Sequence, residues 1–430
     1  GNNITTTTDN SVFLGSNTSY VAADSNTTQG TATYTTATIN GNVMNFAGGS
    51  NVAGVVSIGS ATQTRRLQGI AAGLIAENST DAINGSQLYA AMANAAGAKY
   101  HGVNSTIAGN LRGQGAIGQE AIAIGPNANA SNKNSAALGY TANASGESSI
   151  ALGDKASAVA CHSVSIGAES NASGIDSVAI GIQANSTGKN SIAIGFSKAD
   201  AGGAIAIGSA ANATGQNTIA TGNGANAIGT WSIASGVKAN TTGINATAIG
   251  TFANASGLSS IAFGENASAV LHDGVSVGNG TISNGTAAVA IGSNSVAVNH
   301  HAIAIGDTSN ASAVNAIAMG HYARGIGGNG IAIGGAATSL GNYSVAIGTA
   351  AGAIGNNSVS MGNFSTATGI SSVAIGNNSK ALAKNTISIG TGNIVGGENS
   401  GAIGDPSIVN ATNSYSVGNN NNLAAGQNGV

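Results

Sequence analysis

The sequence predicts an all-β solenoid of 14-residue coils, and three observations carry that prediction. The first is a phrase ending in glycine that occurs 22 times, from Ala121-Ile122-Ala123-Ile124-Gly125 to Ser414-Tyr415-Ser416-Val417-Gly418. The second is its spacing. Of the 21 intervals between closing glycines, 20 are 14 residues long, and only Gly195 to Gly208 is 13. A period held that long marks a stacked repeat architecture. The third is alternation. The residue before the glycine is apolar in 20 of 22 copies, the residue three before it is Ile or Val in 18, and the one between is Ala or Ser in all 22. Period-2 alternation rich in β-branched residues is strand chemistry.

A second short strand follows each glycine, as at Asn127-Ala128-Asn129-Ala130, where small residues alternate with Asn, Ser or Thr. Gly, Asn and Ser fill the corners, where positive φ is often needed. Two strands and two turns make one coil. Stacked about 4.8 Å apart, the coils give a rod of roughly 100 Å. The second strand is apolar on one face only, so its other face can meet water. The phrase strand is apolar on both faces and must be covered on both. One cover is the other strand of its own coil, and another chain must supply the second. This predicts an obligate oligomer with these strands facing its axis. Its expected core includes Ile122, Ala123, Ile124, Ile192, Ala193, Ile194, Ile303, Ala304, Ile305, Val373, Ala374 and Ile375. The invariant small residue suits a place where backbones crowd. The pattern leaves open whether the Ile/Val or the Ala/Ser face turns to the axis.

The segments before the array read differently. Ser11-Val12-Phe13-Leu14-Gly15 is already one copy of the phrase, so residues 1–15 read as the end of a preceding array. Gly54-Val55-Val56-Ser57-Ile58-Gly59 resembles it again, which makes 16–54 an insertion between two coils and 16–64 an inserted hairpin segment with its return coil. Within it Ala32 to Ile39 alternates like a strand, Asn40-Gly41 suggests a tight turn, and Val43 to Phe46 reads as the return strand. Residues 65–98 then change character. Arg65 and Arg66 open the stretch; Ser79, Thr80 and Asp81 are good N-cap candidates, with Ala82-Ile83 opening a helix that runs to about Ala96 and stops at Gly97. Ile83, Gln87, Leu88 and Met92 form a narrow apolar stripe suited to self-association. Residues 99–115 read as a linker, about 116–418 as the main array, and 419–430 as a tail leading to a further segment.

Composition narrows the function. Charged residues are 6 % of the 430, the net charge is −3, and only 12 Lys and Arg serve the whole chain, so no basic patch is available for nucleic acid. Cys161 is the single cysteine, which excludes an internal disulfide; it reads as a small buried or half-buried thiol. There is no initiator Met, no signal-type leader and no run of about 18 apolar residues, so the sequence reads as an internal piece of a longer protein that does not itself enter a membrane.

At this point the residues resemble a family, the trimeric autotransporter adhesins with YadA-like heads, whose repeat runs roughly N-S-V-A-I-G-x-x-S. Ser371-Ser372-Val373-Ala374-Ile375-Gly376-Asn377-Asn378-Ser379 matches it except at the first position, and Asn190-Ser191-Ile192-Ala193-Ile194-Gly195-Phe196-Ser197 matches its core. Arg65 to Leu88 resembles the family's neck, with Arg65, Arg66, Asp81, Asn84, Gln87 and Leu88 as its marked residues and Gly69 where an Asn usually stands. Phe46-Ala47-Gly48-Gly49 resembles an insertion found before such necks. The resemblance implies a left-handed parallel β-roll of three chains and a homotrimer on the bacterial cell surface. Its anchor would be an outer-membrane region C-terminal to this chain. It also implies adhesion to a host matrix protein (collagen-like or fibronectin-like), a host receptor, or like adhesins on other bacteria.

No active site emerges, and the sequence points away from an enzyme and from a cofactor. His300-His301 and His321 lack recurring Cys, Asp or Glu partners for a metal. Glu147 and Asp154 could be neighbours, but glycoside cleavage needs two carboxylates facing each other in a cleft. A trimeric phage-type fibre that binds or cuts glycans is the alternative reading, disfavoured by the sparse acids. An ice-binding solenoid needs flat ranks of Thr, and the outward positions mix Asn, Ser, Lys and Thr. Aromatic residues at coil corners (Tyr140, Phe196, Phe252, Tyr322 and Phe364, with Trp231) either cover turn backbone and subunit seams or contact a ligand. Phe196 with Ser197 is the strongest ligand candidate, because it continues the matching phrase.

Overall fold

The computed structural model describes residues 1–24, 28–39, 42–95 and 114–426. The chain divides into two compact units, Gly1–Asn104 and Ser105–Val430. Asn40-Gly41, Gly97 and most of the 99–115 linker lie outside the described residues.

In the first unit Val12–Phe13 pairs in parallel with Val56–Ser57, so two phrase copies 44 residues apart stack as neighbouring coils. Between them Thr36–Ile39 and Asn42–Asn45 form an antiparallel pair. Tyr34 and Phe46 close its base with ring centroids 5.3 Å apart. Residues 65–84 then run without regular structure into one helix, Gly85–Ala95. The helix starts later than Ser79, Thr80 or Asp81 suggested. Its N-cap is Asn84: the Asn84 Oδ1 accepts from the Gln87 N–H at 3.2 Å, and Gln87 Oε1 accepts from the Asn84 N–H at 3.2 Å. That reciprocal pair is a capping box, and it outcompetes an isolated cap residue because two orphan donors are satisfied at once.

In the second unit each coil contributes a three-residue strand ending one residue before the closing glycine and a two-residue strand after it. Among the described residues the three-residue strands run from Ile122–Ile124 to Tyr415–Val417 and the two-residue strands from Asn129–Ala130 to Asn422–Leu423. Every strand pairs in parallel with its equivalent in the next coil, in register, as Ile192, Ala193 and Ile194 do with Ile205, Ala206 and Ile207. The two ladders are open: Ile122–Ile124 pairs only with its successor, Asn129–Ala130 with its successor and with Ala116 through a single bridge, and the last strands only with their predecessors. The result is a parallel β-solenoid, and its backbone N–H and C=O groups are consumed between coils.

The core lies between the two strands of each coil and is very thin. Ala193, Ala304 and Ala374 are fully buried there, facing the Ala or Ser of the short strand. The Ala/Ser face of the phrase strand therefore points into its own coil, and the invariant small residue reflects crowding inside one chain. Fourteen residues enclose too little space for Ile. The fully buried side chains are Ala, Ser and Thr almost throughout, with Val395, Val409 and Asn393 the larger exceptions near the C-terminal end. Buried hydroxyls hydrogen-bond locally: Ser191 Oγ donates to Gly188 O at 2.6 Å, and Ser165 and Ser170 pair across the core at 2.7 Å.

The closing glycine is fixed by two constraints. Gly153 has φ +138°, and a Cβ there would sit 2.5 Å from the carbonyl oxygen of Gly167 in the next coil. Only glycine meets both demands.

Candidate functional surface

With the small residues inside, the Ile and Val side chains of the phrase strand point outward. They form two files along the solenoid, one three residues and one a single residue before each glycine. In the single chain they are half-buried or exposed: Ile122 is 56 % exposed, Ile375 36 %, and Ile124, Ile192, Ile194, Ile303, Ile305 and Val373 are half-buried. Ala123 lies in the first coil of the array and is only half-buried. An apolar strip of this extent is far larger than the patches a monomer exposes.

The outward face of the short strand is its opposite. Asn recurs there and its side chains form ladders: Asn212 Nδ2 donates to Asn226 Oδ1, Asn226 to Asn240 and Asn240 to Asn254, each at 2.9 Å. Asn129–Asn143 and Asn171–Asn185 repeat the arrangement at 2.8 Å. This face is mostly polar, and it includes the cations Lys198, Arg324 and Lys380.

Two corners join the strands, and in all but the corners after Gly195 and Gly404 each holds a residue with positive φ, near +55° where it is not glycine. Asn and Gly tolerate that region, whereas bulky side chains rarely adopt it. Several corners nevertheless carry aromatics. Phe252, Tyr322 and Phe364 have φ of 57°, 57° and 51° on the corner after the glycine, and Trp231 and Tyr343 have φ of 57° on the opposite corner. All five are exposed, Trp231 by 58 %. Tyr140 and Phe196 sit one position earlier on the first of these corners, also exposed. Lys238 Nζ lies 5.3 Å from the Phe252 ring centroid, and the His321 ring meets Tyr322 edge-on at 4.0 Å. Tyr343, which was not singled out in the sequence, occupies the same corner position as Trp231, five residues before a closing glycine. Ser197 leaves the candidate set: it is 5 % exposed, and its Oγ donates into the core to Ala206 O at 3.1 Å. Cys161 also departs from expectation; it stands exposed on a corner beside His162.

Charges are local and cross one coil step. His162 Nδ1 lies 3.0 Å from Asp176 Oδ1, His321 Nε2 lies 3.3 Å from Asp307 Oδ2, and Lys155 Nζ lies 3.6 Å from Glu169 Oε1. The Gln183 amide hydrogen bond, then Lys155, hold the Glu169 carboxyl below the usual carboxylate range. Among the described residues no three His, Cys, Asp or Glu side chains converge.

One coil breaks the pattern. The 13-residue interval after Gly195 omits the residue that takes positive φ at this corner in the other coils, the one after Gly404 excepted, where Pro406 stands. Ser197 N–H therefore bonds back to Gly195 O at 2.9 Å, in a corner one residue shorter than the rest. A recess of about 460 Å³ opens there, lined by Gln183, Asn185, Phe196, Lys198 and Asn212. Lys198 takes the ladder position between Asn185 and Asn212, and its Nζ lies 2.6 Å from Asp200 Oδ2. Asn212 Oδ1 is left buried without a partner. The irregular interval was visible in the sequence; that it would hollow the surface was not.

In the first unit the neck residues divide. Arg65 ties back to the preceding coil through Ile58 O at 2.5 Å and Ser16 O at 2.6 Å. Asp81 Oδ2 accepts from Leu74 N–H at 2.9 Å, Asn84 Nδ2 donates to Ile70 O at 3.2 Å, and Gln87 bridges the backbone of Gly73 at 2.9 and 2.5 Å. Arg66 is exposed, and Leu88, 50 % exposed, stands out with Ile83, Leu74 and Ile75. Gly69 has φ +75°, a left-handed conformation that Asn also accepts.

A long parallel solenoid whose phrase strand presents an uncovered apolar face defines a fibrous assembly module, and the family comparisons specify which kind. The family model described as the YadA head domain repeat matches in successive copies from 116–142 through 172–197 and 297–323 to 367–393, together more than half of the chain. The model described as the coiled stalk of trimeric autotransporter adhesin matches residues 66–110. The chain belongs to the trimeric autotransporter adhesins, as a passenger segment with YadA-type head repeats. A comparison with curated proteins finds no match. Proteins of this family act as homotrimers exposed at the cell surface, and no helix among the described residues is long and apolar enough to cross a membrane.

Proposed function

We propose that this segment attaches the bacterium to a host matrix protein or cell receptor, or to like adhesins on neighbouring cells, through the short-strand face and the corners of a trimeric β-roll. In this reading the Ile/Val files of three chains face one another at the trimer axis, and the exposed neck residues Leu74, Ile75, Ile83 and Leu88 pack against their counterparts in the other two chains. The outer-membrane anchor lies C-terminal to this chain, and the segment itself catalyses nothing.

The observation that carries the reading is the placement of exposed aromatics at corners with φ near +55°. A bulky residue there costs of order 1 kcal/mol or more relative to Asn or Gly. Residues kept at such positions despite that cost mark contact surfaces, where aromatics contribute most of the binding energy. Each contact is repeated on three chains, so weak single contacts add by avidity.

The test is adhesion of cells displaying the protein to immobilised collagen, fibronectin, epithelial cells and each other, comparing the parent with Tyr322→Asn, Phe364→Asn and Trp231→Asn combined. Asn relaxes the corner, so the variant keeps or raises its melting temperature. Its adhesion to at least one surface falls tenfold or more. Unchanged adhesion on all four surfaces contradicts the corner assignment, and absence of adhesion by the parent contradicts the function.

A further inference from the structure

The recess at the shortened coil brings together an aromatic ring, a lysine and an interrupted Asn ladder, and we infer that it is a binding site for a neutral saccharide unit of a glycan. The inference rests on the adhesin reading and assigns a ligand class to one place on it.

Four features converge. The recess, about 460 Å³, is of the size that small-ligand sites occupy. One wall is the Phe196 ring, 54 % exposed, which offers a flat π face. The negative face of an aromatic ring attracts the C–H side of a pyranose. The Asn ladder is interrupted at this point. Below the break, Asn185 accepts from Asn171, and its own amide N–H groups meet Lys198 where the next rung would stand. Above it, Asn212 donates to Asn226, and its Oδ1 is buried with no partner. The Asn185 amide and the partnerless, buried Asn212 Oδ1 thus flank the same recess as an aromatic face. A sugar hydroxyl donates and accepts at once, so a ring with neighbouring hydroxyls satisfies both groups. Asn310 carries a similar orphaned oxygen where Val296 interrupts its ladder, so a broken ladder alone is not a site. At Asn212 it coincides with a recess and a ring.

The charge pattern selects among sugars. Lys198 is the only cation lining the recess, and Asp200 already holds its amine at 2.6 Å. An acidic sugar would have to displace Asp200 or lie beside it, so the site favours an uncharged one. The recess is lined by short-strand and corner residues and by none of the Ile/Val files.

The shortened corner makes a clean test. Inserting Asn between Phe196 and Ser197 restores the 14-residue spacing of every other coil and fills the recess without foreign structure. Lys198→Asn rejoins the ladder, satisfies Asn185 and Asn212, and raises the melting temperature. Phe196→Ala removes the ring. The purified trimer is screened against immobilised oligosaccharides ending in galactose, N-acetylglucosamine, mannose or fucose, alongside sialylated counterparts. Titration calorimetry with the best neutral oligosaccharide follows. The expected result is retention of at least one neutral oligosaccharide and weaker retention of its sialylated form. Each of the three variants should lose tenfold or more in affinity while remaining a folded trimer. Retention of no neutral glycan, or equal retention by the parent and the insertion variant, overturns the inference. Matrix and cell adhesion measured on the same proteins separates outcomes: adhesion that persists without glycan binding removes this site alone, and a parent that adheres to nothing removes the adhesin reading beneath it.

Discussion

The two strands of each coil are built from the same small inward residues and differ only in what they show outside. The three-residue strand presents Ile and Val; the two-residue strand presents Asn, Ser, Lys and Thr. Inside, both offer Ala or Ser to a core one methyl deep. Burying an alanine methyl contributes about 0.8 kcal/mol, so the thin core is a modest source of stability and the backbone ladders set the geometry. The large apolar groups lie on the outside of one strand, where only another chain can bury them. The same alternation that makes a coil therefore leaves an apolar face on one side, the proposed assembly face, and a mostly polar face on the other.

Substitutions that exchange these roles should rank by how much apolar burial they remove. Ile303→Asp with Ile305→Asp puts two carboxylates into the assembly face. We expect a loss of about 3–5 kcal/mol, read as dissociation to monomer in light scattering and as a large drop in melting temperature. Ala304→Leu lies between them in sequence but points into the coil. It should overpack the core by about 1–3 kcal/mol, lowering the melting temperature while the assembled mass persists. The opposite ordering would mean that the two faces have been assigned the wrong way round. Asn226→Ala removes the middle of the ladder between Asn212 and Asn240. It should cost about 1 kcal/mol, with assembly untouched.

The smallest expected effect is electrostatic. Gln183 and Lys155 depress the Glu169 pKa, so the folded state binds that proton less readily than the unfolded chain. The stabilisation is complete above the ordinary carboxylate range and disappears as the pH falls through the depressed folded value. Glu169 is exposed, so Glu169→Gln should lower the melting temperature only slightly at neutral pH and not at all in strong acid. A larger effect at neutral pH would show that the corner charges matter more than surface ion pairs do.

The comparison also shows what could be read in advance. The period, the parallel coils and the need for a partner follow from Ile-Ala-Ile-Gly alone, because periodicity and double-faced apolarity are properties of sequence. Which face turns inward depends on the distance between two strands joined by a four-residue corner. That distance admits Ala304 and excludes Ile303, and sequence does not state it. The N-cap illustrates the same limit. Ser79, Thr80 and Asp81 are all good caps by residue type, but Asn84 wins through a reciprocal bond with Gln87 that only the chain path decides. Ser197 and Phe196 are neighbours in the same phrase, yet the shortened corner buries one and exposes the other. The corner aromatics stood out by composition; their cost became visible only with φ.

The central claim is that the Ile/Val files are buried by two further copies of the same chain. Light scattering on the purified protein tests it most directly. The account predicts a single species of three times the 40.9 kDa chain mass, stable on dilution. A folded 40.9 kDa monomer with native β-sheet content and no tendency to associate would contradict it.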